Sequence, residues 1–375
     1  MLLDLSAAFD TVDYHLLLQL LESHLHVKGS ALQLLRSYLT GRTQCVSISG
    51  IQSELVELLY GVPQGSVLGP IKFCIYTLPL GAILRFHDIE YHVYADDTQL
   101  YLAFDLHNDP DPSLSKLCSA IADVRSWMIS NKLKINDDKT EFVILSSRHH
   151  NQPSNLQLQI GGVSISPSLI AKNLGVTFDS SLCMDKHVTN ICRSCLFHLR
   201  NIGSVRHMLS DEATAQLIHS LVSSRMDFCN SLLYGLPDCA INRIQRVQNI
   251  AARILTLTPK ASHITPVLKD LHWLPIRSRI LFIILLLTYR AVHKLAPEYL
   301  CDLLAQYSPH RSLRSSRQLL LREPRTKLKT YGDRSFQAAG TREWNKLPLG
   351  IREATSLSNF KHKLKTHLFK CHYNV

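Results

Sequence analysis

The stretch from Tyr91 to Phe104 constrains the fold more than any other part of the sequence. Two arms rich in Val, Tyr, Leu and Phe flank a short polar centre, a pattern that predicts a tight β-hairpin. Asp96 and Asp97 stand together at its tip. Neighbouring strand side chains point to opposite faces, but a sharp turn relaxes that rule and can bring both carboxylates near one site. The simpler interpretation is a solvated turn, as expected for 137–138, because Asp favours turns.

Composition and patterning predict an α+β protein with two or three compact units. The chain has 375 residues, of which 46% are hydrophobic and 19% charged, values typical of folded proteins with sizeable cores. Strand-like and helical patterns are mixed in the first part, and helical patterns dominate after Asp185. The expected elements include strands over 44–49 and 54–59 about Gly50, a hairpin over 156–165, and helices over 115–133, 186–209, 211–234, 238–256 and 277–294.

Secretion and membrane insertion have no support in the sequence. The first residues lack the basic segment and apolar run of a signal peptide, and Ile280 to Tyr289 is about half as long as a membrane span. The ten cysteines form no secreted-type framework, so free thiols and an intracellular location, nucleus or cytoplasm, are expected. Cys192, Cys195 and His198 have ligand-like spacing, but their helical pattern favours core side chains.

The excess positive charge is concentrated near the C-terminus. The formal net charge is +11, and the residues from Gln306 onward contain fifteen Lys and Arg against four Asp and Glu. The remaining chain has 26 basic and 26 acidic residues. Such a basic region favours polyanions through counterion release, without sequence preference. A solvated basic surface is the alternative interpretation.

A glycine- and proline-rich loop runs from Gly61 to Pro70 and leads into a helical apolar segment. Glycines let backbone amides approach a substrate closely, and a helix N-terminus attracts phosphate. Most loops of this composition are simple turns. This loop becomes a candidate substrate site because it lies between Asp4 and the Asp96-Asp97 hairpin.

Four motifs in a fixed order relate the chain to a known family. They are Leu3-Asp4-Leu5-Ser6-Ala7-Ala8-Phe9-Asp10, Gly61-Val62-Pro63-Gln64-Gly65-Ser66-Val67-Leu68-Gly69-Pro70, Tyr94-Ala95-Asp96-Asp97, and Leu133-x-x-Asn136-x-x-Lys139-Thr140-Glu141. Together they resemble the reverse transcriptase of LINE-type (non-LTR) retrotransposons, particularly the vertebrate jockey-like branch. The 171–176 segment and the helical C-terminal part are also similar, so the resemblance covers essentially the whole chain.

The resemblance implies a right-hand polymerase architecture. Residues 1–150 would form the palm, 151–260 a primer-grip hairpin and helical thumb, and 261–375 a helical, basic C-terminal region. The implied activity is RNA-directed DNA polymerisation, with an RNA template, a DNA primer and dNTPs as partners and no membrane. The basic tail would add affinity for nucleic acid.

The resemblance also implies two Mg²⁺ ions, or Mn²⁺, held by Asp4, Asp96 and Asp97. Two-metal chemistry activates the primer 3′-hydroxyl and stabilises the departing pyrophosphate. Magnesium prefers a few carboxylate oxygens plus substrate phosphates. The catalytic residues implied are the three aspartates and Lys139, which would lie near the pyrophosphate. A surface lysine is the alternative interpretation of Lys139.

The resemblance further implies a set of residues that contact the substrates. Phe9 would exclude a ribose 2′-hydroxyl, and the 61–70 loop would contact the template and the incoming nucleotide. The 175 segment would hold the primer end. A core aromatic side chain is the alternative interpretation of Phe9. The substrate-binding residues implied are Phe9, Gly61, Pro63, Gln64, Gly65 and Tyr94.

The start of the chain departs from the family pattern. It lies within the strand of the first carboxylate motif, whereas the resemblance implies fingers and an endonuclease domain before it. With the fingers missing, we expect weak or no polymerisation by this polypeptide alone. The alternative function is that of a non-catalytic, retrotransposon-derived remnant that binds nucleic acid.

Overall fold

A computed structural model of the chain describes residues 1–63, 65–104, 112–146, 156–160, 162–307 and 318–374. The chain divides into two compact units, Met1–Gly175 and Val176–Val375. Each unit is built around its own buried hydrophobic side chains. The palm, the primer grip with thumb and the basic C-terminal region expected from the sequence are defined by function, so this division remains a prediction.

The first unit mixes helices with small antiparallel sheets, in agreement with the predicted α+β class. Its strands and helices are β1 (Leu2–Leu3), α1 (Tyr14–Ser23), α2 (Gly29–Leu39), β2 (Arg42–Gln44), β3 (Ser47–Ile48), β4 (Ile51–Gln52), β5 (Val56–Leu58), α3 (Gly69–Tyr76), α4 (Leu80–Phe86), β6 (Glu90–Tyr94), β7 (Asp97–Tyr101), α5 (Pro112–Ser130), β8 (Leu158–Ile160), β9 (Val163–Ile165) and β10 (Ile170–Asn173).

The central sheet of this unit has the order β1-β7-β6, and the β6–β7 hairpin confirms the element predicted over 91–104. In the antiparallel β1–β7 pair, Leu2 lies opposite Gln99 and Leu3 opposite Thr98. The other edge of β1 is also paired, because Leu2 forms a bridge with Glu141. The short β1 strand is therefore held from both sides.

One face of this sheet packs on the core of the unit. Leu3, Thr98 and Leu100 are each at most 3% exposed, and they alternate with side chains that point to the other face. Helices α1, α3, α4 and α5 supply most of the remaining core, including Phe73 and Tyr76. The opposite face of β1 and β7 is thereby left available for polar side chains.

A narrow β-ribbon projects from the first unit. Strands β2 and β5 pair at its base, and β3 and β4 pair beyond them around the turn at Ser49 and Gly50. The turn at Gly50 agrees with the sequence prediction. The strand predicted over 44–49 is divided between β2 and β3, and the strand predicted over 54–59 is shortened to β5, with β4 before it. All residues from 43 to 57 are exposed, so no core packing enforces one continuous ladder.

The second unit is almost entirely helical after its first strand, as the pattern after Asp185 predicts. It contains β11 (Val176–Asp179), α6 (Asp185–Val205), a 3₁₀ turn (Arg206–Met208), α7 (Asp211–Ile218), a π-helical insert (His219–Ser223), α8 (Ser224–Asp227), a 3₁₀ turn (Asn230–Leu233), α9 (Asp238–Thr256), α10 (Ile264–Asp270), α11 (Ile276–Val292), α12 (Glu298–Cys301), α13 (Phe336–Lys346), α14 (Leu349–Arg352) and α15 (Leu357–Tyr373).

The helix α11 runs through the centre of the second unit, which confirms that the apolar 280–289 stretch is a buried helix. Its Ile280 and Ile284 face one core, and its Tyr289 belongs to another. The Tyr289 ring stacks on Phe360 of α15 with centroids 4.3 Å apart, beside the fully buried Trp344 of α13. The helices α13 and α15 of the basic C-terminal region are thus an integral part of this unit.

Two further expectations concern individual segments of the second unit. Cys192 and Cys195 are buried in its core, which confirms them as core side chains of a helix. The helix predicted over 211–234 instead ends at Asp227, because Cys229 adopts a left-handed backbone with φ of 51°. Within the described parts of the chain, no helix is both long enough and apolar enough to cross a bilayer.

Candidate active site

The strand register brings together two carboxylates that are far apart in the sequence. The β1–β7 ladder ends where Leu3 lies opposite Thr98, so Asp4 and Asp97 are the residues directly beyond its last pair, and the charge of Asp4 acts on Asp97. Leu3 and Thr98 face the core, so Asp4 and Asp97 share the opposite face of the sheet. Asp96 lies in the two-residue turn that joins Tyr94 to Asp97.

The hairpin turn around Asp96 is sharp. Ala95 adopts a left-handed backbone with φ of 54°, which costs a residue with a Cβ about 1–2 kcal/mol. A small side chain lowers the steric conflict but does not remove it. Tyr94, just before the turn, has an exposed fraction of 67%. Its ring is therefore free to meet a bound molecule.

The electrostatics of the hairpin show that the three aspartates influence one another. Burial raises the pKa of Asp97 above its ordinary value, and the negative charges of Asp96 and then Asp4 raise that pKa further. The Oδ2 atom of Asp4 is buried and has no hydrogen-bond partner. Three acidic groups with one orphaned oxygen form a site that gains stability from a cation.

Lys139 provides one cation near this site. Its Nζ lies 3.8 Å from Asp4 Oδ2, too far for a hydrogen bond but within ion-pair range, and its side chain is 71% exposed. The backbone holds the segment in place, since Asn136 N–H donates to Asp4 O at 2.9 Å. Thr140 Oγ1 closes the turn by donating to Asn136 O at 2.8 Å. Lys139 is thus positioned beside the carboxylates by main-chain contacts.

The neighbouring pair Asp137-Asp138 corrects one expectation. Asp137 is not simply solvated, because its carboxylate accepts two hydrogen bonds from the Arg125 guanidinium of α5, one at 3.1 Å. This bidentate contact fixes the loop against the helix. Asp138 is exposed, as expected.

Phe9 and the glycine-rich loop are tied together by backbone hydrogen bonds. Val62 N–H donates to Phe9 O at 2.8 Å, and Gly61 N–H donates to Val12 O at 2.9 Å. A Cβ on Gly61 would come within 3.0 Å of Asp10 O, and its φ is +89°. Only glycine fits this close crossing without strain. The loop therefore begins directly against the segment that follows Asp4.

The rest of the loop leads into α3. The Phe9 ring is half-buried and contacts the Phe73 ring of α3, with centroids 4.7 Å apart. Pro63 O accepts a hydrogen bond from Ser66 N–H at 3.2 Å. Gly65 is exposed with φ of +80°. Gln64 lies outside the described residues, so its predicted contact with substrate has no structural counterpart.

The donor set suits a metal ion that is completed by substrate. No three His, Cys, Asp or Glu side chains of the described residues are arranged to hold a metal on their own. Asp4 and Asp97 nevertheless lie close enough for the charge of one to act on the other, and Asp4 Oδ2 accepts no hydrogen bond. Magnesium is commonly bound by one or two carboxylates plus substrate phosphates. The residues present fit that mode of binding.

Sequence reasoning overlooked a second group of side chains on the same sheet face. Gln99 Nε2 donates to Asn173 Oδ1 of β10 at 3.1 Å, and Lys172 N–H donates to Glu141 Oε2 at 3.3 Å. Gln99 follows Asp97 by two positions, so strand alternation could have placed it on the same face. Its partner could not be found, because 74 positions separate the two residues.

Comparison with known proteins shows a family match for the part of the chain that contains this site. Residues 1–178 match the family described as reverse transcriptase (RNA-dependent DNA polymerase). This part of the chain is therefore similar to reverse transcriptases. The match includes Asp4, Asp96 and Asp97, and it ends within β11.

Similar proteins support the predicted resemblance to LINE-type, non-LTR reverse transcriptases. The probable RNA-directed DNA polymerase from transposon X-element of Drosophila melanogaster is 29% identical over 263 residues, or 68% of this chain and 28% of the relative. The probable RNA-directed DNA polymerase from transposon BS of the same species is 27% identical over 253 residues, or 64% of this chain and 27% of the relative.

The mobile element jockey provides a third comparison. The RNA-directed DNA polymerase from jockey of Drosophila funebris is 26% identical over 266 residues, covering 68% of this chain and 27% of the relative. The chain thus spans little more than a quarter of the length of these relatives. Their similarity extends beyond the family match at residue 178, into the helical unit.

Proposed function

We propose that the chain carries the catalytic centre of an RNA-directed DNA polymerase, which extends a DNA primer on an RNA template by two-metal nucleotidyl transfer. The observation that carries this proposal is that the charge of Asp4 acts on Asp97, directly after the last pair of the β1–β7 ladder, while Asp4 Oδ2 is buried and without a hydrogen-bond partner. A structural role would leave such an oxygen hydrogen-bonded. The family match supports the same reaction class.

Asp4, Asp96 and Asp97 supply the oxygen ligands in this proposal. Two Mg²⁺ ions, or Mn²⁺, activate the primer 3′-hydroxyl and stabilise the departing pyrophosphate when bound. The raised pKa of Asp97 is consistent with this role, because a nearby cation would favour its charged form and relieve the repulsion from Asp96 and Asp4. The carboxylates thus provide negative charge that the substrate complex neutralises.

Other residues orient the substrates. Lys139 has an exposed side chain that can reach a pyrophosphate oxygen while its backbone stays fixed by Asn136. Phe9 is held against Phe73, so its ring can act as a rigid wall toward the ribose 2′-position. Gly61, Pro63 and Gly65 line the path of the template and the incoming dNTP, and Tyr94 contacts the bound strands from the hairpin. Gln64 remains a predicted substrate contact.

Primer extension on an RNA template with Mg²⁺ tests the proposal. The full chain is compared with the variants Asp4→Asn and Asp96→Ala, and with Asp138→Asn as a matched control. Asp138 is an exposed carboxylate of the neighbouring loop. We expect extension to fall at least about 100-fold in the two site variants, because each removes a metal ligand from the transition state, and to stay near the parent level in the control.

The alternative function, nucleic-acid binding without catalysis, rests on the excess positive charge from Gln306 onward. It predicts binding of primer–template by the parent and by Asp96→Ala with equal affinity, and no extension by either. That result would favour the alternative function, and extension that survives Asp96→Ala would contradict the polymerase proposal.

A further inference from the structure

A row of three residues crosses the sheet directly behind the carboxylates. Leu2 lies opposite Gln99 of β7, and on its other side it exchanges hydrogen bonds with Glu141, with N···O distances of 2.8 and 3.0 Å. Residues two apart in a strand share a face and are about 7 Å apart. Gln99 and Glu141 therefore stand on the same face as Asp97 and Asp4, one step further from the hairpin tip.

Both ends of this row reach the strand β10. Gln99 Nε2 donates to Asn173 Oδ1 at 3.1 Å, and Glu141 Oε2 accepts from Lys172 N–H at 3.3 Å. Gln99 is only 9% exposed, and its Oε1 accepts a hydrogen bond from the Tyr101 hydroxyl. The Gln99 amide is thus held at both its nitrogen and its oxygen, which fixes its orientation.

The residues that follow β10 form a two-residue turn before β11. Leu174 and Gly175 have φ of 45° and 80°, the geometry that such a turn requires at both positions. Leu174 is the less favourable of the two, because it carries a side chain. The contacts from Gln99 and Glu141 act on the two residues immediately before it, Lys172 and Asn173.

We propose that Gln99 and Glu141 are positioning residues that hold the 173–175 turn one row behind Asp4 and Asp97, and thereby set the location of the primer 3′ end. This inference rests on the proposed polymerase function. A primer terminus must lie within about 3–3.5 Å of its target for in-line attack, and small displacements are costly. Because Gln99 and Glu141 belong to the same sheet as the carboxylates, their contacts would fix the position of the turn relative to the reacting groups.

The test uses the full chain and two sets of variants. Gln99→Leu, Asn173→Leu and Glu141→Leu remove the anchoring groups. Asn173→Asp and Glu141→Gln are the matched controls, because each keeps an acceptor oxygen for the same donor. The readout is the ratio of extension from a paired primer end to extension from a mispaired one. A loss of folded molecules lowers both rates and leaves this ratio unchanged.

We expect the ratio to fall about fivefold or more in the three Leu variants, because a loosened turn no longer distinguishes a well-placed terminus. It should stay within about twofold of the parent in the matched controls. The ratio in the double variant Gln99→Leu, Asn173→Leu should fall no further than in either single variant, because both changes remove the same hydrogen bond. Unchanged ratios in the Leu variants would show that the anchors do not position the primer.

Hydrogen exchange gives a second readout that needs no turnover. An RNA–DNA primer–template duplex should slow amide exchange at Leu174 and Gly175 in the parent, and the slowing should be at least about fivefold smaller in Gln99→Leu. Equal protection in both proteins would overturn the inference even if no variant extends a primer. Asp96-dependent extension with unchanged ratios would reject the anchors and leave the polymerase proposal standing.

Discussion

Asp97 is a residue whose charge works against folding. Burial, Asp96 and Asp4 raise its pKa, so the ionised form is less favourable in the folded chain than in the unfolded one. Protonated Asp97 favours the folded state at low pH, and this contribution is lost as the pH rises through the raised pKa. Sites that bind cations commonly store such unfavourable charge.

We therefore predict that Asp97→Asn increases the free energy of unfolding at pH 7. The gain should shrink as the pH falls and vanish below the ordinary carboxyl pKa, where Asp97 is protonated in both states. Urea denaturation at pH 3, 5 and 7 measures the difference. Asp138→Asn is the matched control, and an equal gain in both variants would contradict the explanation.

Lys72 is a second unfavourable charge, in the helix that follows the glycine-rich loop. It is 3% exposed, and its Nζ has no hydrogen-bond partner. Burial, followed by the positive charge of Arg42, lowers its pKa to about 8. The face of the Tyr38 ring, 3.3 Å from Nζ, provides a partial substitute for hydration.

We predict that Lys72→Met stabilises the chain at pH 7 by on the order of 2 kcal/mol, the cost of the lowered pKa less the cation–π attraction that the change removes. In the parent, stability should rise between pH 8, the folded pKa, and the unfolded value of 10.5, because only the unfolded state still binds the proton there. Melting curves across this range test both points. The exposed Lys134→Met is the control, and a parent stability that does not rise would refute the assignment.

At the scale of elements, the crossing of the glycine-rich loop over the segment after Asp4 is the tightest backbone contact near the site. Gly61 and Gly65 have similar positive φ values, +89° and +80°, but a methyl group in place of the Cα hydrogen would meet backbone atoms within 4 Å only at Gly61. Comparing the two glycines therefore separates two contributions to the free energy of substitution, the strain of a positive φ and the steric clash with Asp10.

We predict that Gly61→Ala destabilises the first unit by about 2–4 kcal/mol, whereas Gly65→Ala costs only about 1 kcal/mol. The difference between the two free energies is the cost of moving the loop away from Asp10. Chemical denaturation gives the two free energies, and primer extension should fall further in Gly61→Ala than stability alone explains. Equal costs for the two variants would indicate that the loop shifts freely.

How far the sequence predicts these elements depends on where the determining contacts lie. The hairpin around Asp96 was predictable because its alternation and turn are local. The π-helical insert at His219–Ser223 adds a residue to a helical turn without changing composition, so periodicity could not reveal it. The ribbon strands are broken because no core packs against residues 43–57, and the local sequence pattern does not reveal that exposure.

The candidate site divides in the same way. Asp4 and Asp97 were singled out by motif resemblance, and strand pairing explains how they meet. The tether from Gln99 to Asn173 was missed because it depends on how a distant strand crosses the sheet. Residues with a distinctive chemistry of their own could be singled out from the sequence, whereas a residue held by a distant partner could not.

At the scale of the whole molecule, the excess positive charge is built into a folded unit. Helix α15 has four lysines and no acidic residue, and its Phe360 and Leu364 pack in the core with Tyr289. Removing everything after Gln306 would expose that core, so truncation cannot isolate the effect of charge. Substitution of exposed lysines can.

We predict that the triple change Lys361→Gln, Lys365→Gln and Lys370→Gln weakens nucleic-acid binding and lowers the slope of log affinity against log salt by up to about three, one for each phosphate that no longer meets a lysine. A triple change of Lys134, Lys269 and Lys294 to Gln removes the same charge from exposed positions elsewhere and is the control. Binding titrations between about 50 and 300 mM salt measure both slopes. Equal slopes for the two triple variants would mean that α15 has no special part in binding.

The register of the β1–β7 pair also governs where related chains can differ in length. One codon gained or lost inside β1 or β7 would turn every following side chain to the other face and direct a carboxylate into the apolar interior. The ribbon tip at Ser49 and Gly50 is surrounded by solvent, so an extra codon there disturbs almost nothing. As related sequences diverge, insertions should accumulate at that tip and spare the two short strands.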